Sequence, residues 1–156
     1  MLKFKVYIDT SVIGGCFDDE FAKYSNLLFN DFIVGKKIAV VSNLTLKELK
    51  DAPENVRKKF EEIPKKNVEF VGLSEEAEEL AQKYIETGVI SSSYLLDAEH
   101  IAIATVEKID ILASWNFKHI VNINKIRGFN SVNIRERYQL LEIRTPMEVI
   151  DENQEI

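Results

Sequence analysis

Short apolar runs recur along this chain with helix-length segments between them, and that alternation limits the fold more than any other feature. "FKVYI", "KIAVVS", "VEFVGL" and "DILASW" are too short for helices and read as strands. "EIRTPMEVI" adds a short final one. Between them lie helical patterns. "SNLLFNDFIVGK" belongs to a helix closed near Gly35, "TLKELKDA" stops before Pro53, and "NVRKKFEEI" ends at Pro64. "SEEAEELAQKYIETG" has Ser74 as its N-cap and Gly88 just past its end, and "LLDAEHIAIATVEK" is a further helix. Continuous apolar strands joined through helices predict an α/β sandwich of three layers. Its centre is a mostly parallel sheet of four to five strands with helices on both faces. No linker, repeat or low-complexity segment interrupts the pattern, so residues 1–150 read as one domain and 151–156 as a polar C-terminal tail.

Composition narrows the function. No apolar run approaches the ~20 residues that span a bilayer, and "MLKFKVYID" lacks a signal-peptide core. The single cysteine, Cys16, rules out an intrachain disulfide and fits a reducing cytoplasm. It follows two glycines, far in sequence from both histidines, and reads as a small packing residue. A net charge of −6 argues against a general electrostatic binder of nucleic acid. The charge is uneven: residues 74–110 carry net −7 and residues 111–145 net +4, so a local basic surface can still meet phosphates.

The stretch "KVYIDTSVIGG" ends an apolar strand on a carboxylate. A buried charge needs a partner, so Asp9 sits at a strand tip near water or faces a cation. In parallel sheets, ligands gather at the carboxyl ends of the strands, which is where Asp9 falls. Glu48 follows the second strand and fits two roles equally well. It is a second ligand, or it closes a T-x-x-E capping box with Thr45. Asp97 shares a helix face with Leu96, His100, Ile103 and Ala104, an unusual place for an acid unless that face ends at a cation; a favourable helix dipole is the other reading. His100 reads as a packed, hydrogen-bonded residue, and the two histidines make no zinc pattern. Asn116 ends the fourth strand as Asp9 ends the first, with Trp115 beside it as a core or rim anchor. His119, next to Lys118, is placed to cap backbone or to touch phosphate. Asp110 lies at the far end of its strand and reads as a turn residue. Oxygen donors of this kind suit Mg²⁺ or Mn²⁺, which can activate water and neutralise a phosphodiester's leaving oxygen.

Three segments, "YIDTSVIGG", "VVSNLTLKEL" and "LLDAEHIAIATVEKIDILASWNFKHIVN", resemble in order and spacing the PIN-domain family, and within it the VapC-like toxins of toxin–antitoxin pairs. The resemblance covers roughly residues 4 to 122, and "INKIRGFNSVNI" and "LEIRTPMEVI" look like the tail of one PIN subgroup. It implies a Rossmann-like sheet and a metal-dependent endoribonuclease that hydrolyses RNA with metal-activated water. Asp9, Glu48 and Asp97 become the carboxylates of a Mg²⁺ or Mn²⁺ site, with Asn116 assisting. Thr10 or Ser11 supports the site by hydrogen bonding, and Lys118 and His119 lie where RNA would be seated. A homodimer and a cognate antitoxin partner are implied as well. The departure is "SWN", where the family commonly carries an aspartate at the position of Asn116. Asparagine keeps an oxygen donor but removes a charge, which predicts a weaker second cation site. The alternative reading is a catalytically weak or inactive PIN-fold module that acts by binding protein or RNA.

Overall fold

The computed structural model describes residues 3–150. Its centre is a sheet of five strands: β1 (Lys5–Ile8), β2 (Ile38–Ser42), β3 (Val68–Val71), β4 (Ile111–Ala113) and β5 (Glu142–Arg144). All neighbours are parallel, in the order β3-β2-β1-β4-β5. The chain builds outward from β1 in one direction, then crosses back to build outward in the other. The carboxyl ends of β1 and β4 therefore flank the point where the winding reverses, the favoured ligand position in open α/β sheets.

The helices are α1 (Thr10–Gly15), α2 (Ala22–Val34), α3 (Asn43–Lys50), α4 (Glu54–Glu61), α5 (Glu75–Glu86), α6 (Leu95–Val106), α7 (Ile123–Arg135) and α8 (Pro146–Val149). Successive strand residues point to opposite faces, and this splits the core in two. Tyr7, Val40, Leu112 and Ile143 bury against Leu80, Tyr84, Ile101 and Phe129 of α5, α6 and α7. Val6, Ile8, Ala39, Val41 and Ala113 bury against Ile13, Leu28, Phe29, Phe32 and Val56 of α1, α2 and α4. This is the three-layer arrangement expected from the continuous apolar strands. Asp110 stands at the opposite, amino-terminal edge, where its carboxylate accepts from the Lys5 amide at 2.8 Å.

Several local readings change. Helix α3 begins at Asn43, with Ser42 as its N-cap; Ser42 Oγ accepts from the amides of Leu44 (3.1 Å) and Thr45 (3.5 Å). Thr45 is thus inside the helix and no box forms with Glu48; the Thr45 hydroxyl instead donates to the Ile8 carbonyl at 3.3 Å. A capping box of that pattern does occur, at Thr145 and Glu148 of α8. Neither α1 nor α7 announces itself by periodicity. One is six residues with two glycines, and the other is rich in β-branched residues and asparagine. Gly35 closes α2 in the left-handed conformation (φ 84°), as its position suggested. Cys16 is buried, and burial pushes its thiol up to about 11, in keeping with a packing role. The polar tail at 151–156 lies outside the described residues.

Candidate active site

Asp9 follows the last residue of β1 and is the N-cap of α1, 7% exposed. Its carboxylate is clamped on both oxygens. Oδ1 accepts from the Ser11 hydroxyl (2.5 Å) and the Val12 amide (3.3 Å). Oδ2 accepts from the Ser114 hydroxyl at 2.6 Å. The two serines are themselves held. Ser11 Oγ accepts from the Trp115 amide and Ser114 Oγ from the Asn116 amide, both at 3.0 Å. Each hydroxyl proton is therefore committed to Asp9, and charge-assisted bonds of this kind offset the burial of a carboxylate.

Glu48 comes from α3 and is half-exposed. Its Oε1 lies 3.0 Å from His100 Nε2. His100, on α6, is 2% exposed, and its Nδ1 meets the Tyr7 hydroxyl at 2.6 Å. Tyr7 is fully buried in β1, and its hydroxyl also meets Ser42 Oγ at 2.7 Å. Burial, helped by the charges of Asp9 and Glu48, raises the tyrosine well above its ordinary range, so the hydroxyl keeps its proton. The packed, hydrogen-bonded reading of His100 holds.

Asp97 stands in the first turn of α6. Its carboxyl is raised above the usual aspartate value, first by burial, then by the negative charges of Asp9 and Glu48, against the lowering effect of His100 and His119. The three carboxylates, supplied by β1, α3 and α6, thus act on one another electrostatically. Among the described residues Asp97 has no hydrogen-bond or ion-pair partner. Nor are any three His, Cys, Asp or Glu side chains among the described residues already gathered at ligand spacing.

Asn116 lies past the end of β4. Its Oδ1 accepts from the His119 amide at 2.9 Å, and its carbonyl accepts from Ile120 and Val121. It caps its own turn. The side chain from this segment that reaches Asp9 is Ser114, which sequence reasoning did not single out. The sheet register brings it there: Ile8 pairs with Ala113 in parallel, so the next residues, Asp9 and Ser114, emerge side by side. Of the two hydroxyls after Asp9, Ser11 bonds to it, while Thr10 opens α1 half-buried. His119 stacks on Tyr94 with ring centroids 3.7 Å apart, and its charge reaches Asp97. Lys118 is exposed in the loop that follows Asn116. Trp115 is a rim anchor: it stacks on Phe21 at 4.3 Å and donates from Nε1 to Ser25 Oγ at 2.8 Å.

No family model matches this sequence, and no curated protein matches it. Solved structures do. VapC20 of Mycobacterium tuberculosis, a sarcin-ricin loop cleaving toxin, aligns with TM-score 0.54 at 16% identity, over 72% of this chain and 91% of its own. VapBC2 of Rickettsia felis, solved bound to a DNA fragment from its promoter, aligns with TM-score 0.57 at 12% identity, over 91% of this chain and 98% of its own. FitAcB of Neisseria gonorrhoeae aligns with TM-score 0.57 at 12% identity, over 92% of this chain and 99% of its own. The chain has a VapC-like PIN fold.

Within this VapC-like PIN fold, the donor chemistry of the acidic edge fits a hard divalent cation. The donors are carboxylate oxygens with no thiolate or clustered imidazole among them, the set favoured by Mg²⁺ and Mn²⁺ rather than zinc. Asp97, raised by burial and by the charges of Asp9 and Glu48 and without a hydrogen-bond partner among the described residues, is the kind of carboxylate a cation relieves. Mg²⁺ in particular keeps several of its waters and takes only one or two carboxylates directly.

Proposed function

We propose that this chain is a divalent-cation-dependent endoribonuclease of the PIN type and the toxin of a toxin–antitoxin pair. One observation carries the reading: Asp9, Glu48 and Asp97 come from three separate elements at the carboxyl side of a VapC-like PIN fold, and their charges act on one another. RNA as the substrate class is supported by VapC20, a toxin that cleaves the sarcin-ricin loop. An antitoxin partner is supported by the VapBC2 and FitAcB neighbours. Residues 1–150 act as one cytoplasmic domain in this reading, and two copies pair as a homodimer.

Asp9, Glu48 and Asp97 hold Mg²⁺ or Mn²⁺, with Asn116 beside them. A bound cation there supplies water activation and neutralises charge on the phosphodiester. The rest falls to the chain's own side chains. Ser11 and Ser114 fix the Asp9 carboxylate. Thr10 opens the helix that Asp9 caps. Lys118 and His119 meet RNA phosphates at the edge of the site, where the net charge of the chain turns positive.

The test is cleavage of an end-labelled RNA panel with Mn²⁺, and again after chelation, by wild type and by Asp9→Asn. Cuts that need the cation and vanish in the variant are expected. Equal cleavage by Asp9→Asn would remove the acidic edge from the chemistry. A second reading, a binding module with weak or no catalysis, is favoured by Asn116, which brings no charge and already spends its oxygen on the His119 amide. Mn²⁺ binding without any cleavage, together with a tight antitoxin complex, selects it.

A further inference from the structure

Tyr7 is an unexpected residue for its place. It lies fully buried in the central strand, on the face that carries Val40, Leu112 and Ile143. A phenylalanine would bury the same ring without desolvating a hydroxyl, a cost of about 1–3 kcal/mol when no partner is found. Here the hydroxyl has two partners, and they extend into a chain: Ser42 Oγ, Tyr7 Oη, His100 Nδ1, His100 Nε2 and Glu48 Oε1, with contacts of 2.7, 2.6 and 3.0 Å. Its inner members are closed off, His100 2% and Ser42 0% exposed.

Proton counting gives the chain a direction. Ser42 Oγ accepts amides at the start of α3, so its own proton is free to go to Tyr7. Tyr7 then donates to Nδ1 of His100. The imidazole N–H is left at Nε2, pointing to Glu48. Read the other way, the Ser42 proton lacks an acceptor among the described residues. The chain therefore starts at the N-cap of α3 and ends on a carboxylate nearly two turns further along the same helix, having passed through β1 and α6. Glu48 is the only half-exposed member.

We infer that Tyr7 and His100 are positioning residues that hold the Glu48 carboxylate in the orientation used to bind a divalent cation. This rests on the reading of Glu48 as a ligand given above. The arrangement is the carboxylate counterpart of a supported metal ligand: an imidazole N–H fixes one of its oxygens. Asp9 is fixed on the same logic by Ser11 and Ser114. Asp97 has no such support among the described residues, which leaves it able to adjust.

The test is calorimetric titration of Mn²⁺ into the full chain. Loss of a supporting residue at a metal site typically costs about 10- to 100-fold in affinity. Tyr7→Phe is expected to weaken Mn²⁺ binding by about tenfold. In a Glu48→Gln background the same change is expected to have no further effect, because its route to the cation is already gone. His100→Asn, which draws back from Glu48, is expected to lose affinity, and His100→Gln, whose amide N–H can reach the same oxygen, to recover part of it. The His100 pair decides the matter should Tyr7→Phe not fold. Wild-type affinity in Tyr7→Phe and in both His100 variants overturns the inference while leaving the metal site intact. So does an equal loss from Tyr7→Phe with or without Glu48, or from both His100 variants. A wild type that binds no Mn²⁺ overturns the ligand reading of Glu48 and the inference with it.

Discussion

Ser114 donates to Asp9 across the seam between β4 and β1, with 2.6 Å between Oγ and Oδ2. The two residues follow a paired position in the sheet, Ile8 with Ala113, so backbone register alone brings them together. Ser114→Ala leaves a carboxylate oxygen without its donor in a nearly closed setting and removes the acceptor of the Asn116 amide. The expected loss is about 1.5–3 kcal/mol in urea unfolding. Under the proposed function, cation-dependent cleavage falls by about 10- to 100-fold as well. Unchanged stability would show that water replaces the hydroxyl at no cost.

Asp97 carries the pH dependence. Burial, with Asp9 and Glu48 adding to it, raises its pKa, so the folded chain binds this proton more tightly than the unfolded chain does. The contribution to stability is full below the ordinary aspartate pKa of about 4 and is lost as pH rises through the raised value. Near neutral pH and without cation, Asp97→Asn is expected to be more stable than wild type. Solvent screening of this half-exposed group limits the gain to about 1 kcal/mol, or about 2–4 °C in Tm. The gain should shrink as the solution is acidified, and added Mn²⁺ should reverse the order by protecting wild type more strongly. Melting curves across pH, with and without Mn²⁺, check each part. A variant no more stable than wild type at neutral pH would mean that neither burial nor the neighbouring carboxylates strain Asp97 in the cation-free chain.

Asn116 separates two jobs. Its oxygen caps a turn at the His119 amide, and an aspartate can do the same. Asn116→Asp is expected to keep stability within about 0.5 kcal/mol and to tighten Mn²⁺ binding by restoring a fourth negative charge. Asn116→Ala is expected to cost about 1 kcal/mol through loss of the cap. Unaltered Mn²⁺ affinity in Asn116→Asp would place this residue outside the cation site.

Gly15 is required by close approach. A Cβ there would stand 2.6 Å from Ser25 Oγ and 2.8 Å from Trp115 Nε1, the two atoms whose bond anchors Trp115 at the rim. Gly15→Ala is expected to cost about 1–3 kcal/mol. Its neighbour gives the control. Nothing lies within 4 Å of a Cβ on Gly14. Gly14→Ala is therefore expected to gain about 0.5–1 kcal/mol from the better helix former. Thermal melts of the two variants should move in opposite directions.

The parallel sheet was legible because its evidence is local. Apolar runs such as "KVYI" and "IAVVS" have no polar face, so helices must cover both sides. Asp9 was legible for the same reason, as a charge that interrupts such a run. The role of Glu48 was not. Four residues read in isolation, Thr45 to Glu48, make a good capping box, and only the three-dimensional course of the chain shows that the cap lies three residues earlier, at Ser42. Ser114 and Tyr7 escaped notice because a serine at a strand end and a tyrosine in a strand are ordinary until their partners are known. Those partners sit 105 and 93 positions away.

The order of apolar and amphipathic segments in this chain determined the layers of the fold and set a carboxylate at a strand tip, since both follow from periodicities of a few residues. Register across β1 and β4, the crossing of α3 and α6, and the rotamers they permit decided which side chains clamp Asp9 and which imidazole meets Glu48. Those are relations between distant segments, and a hydrogen bond of under 3 Å is decided by how whole elements pack rather than by the residues beside it.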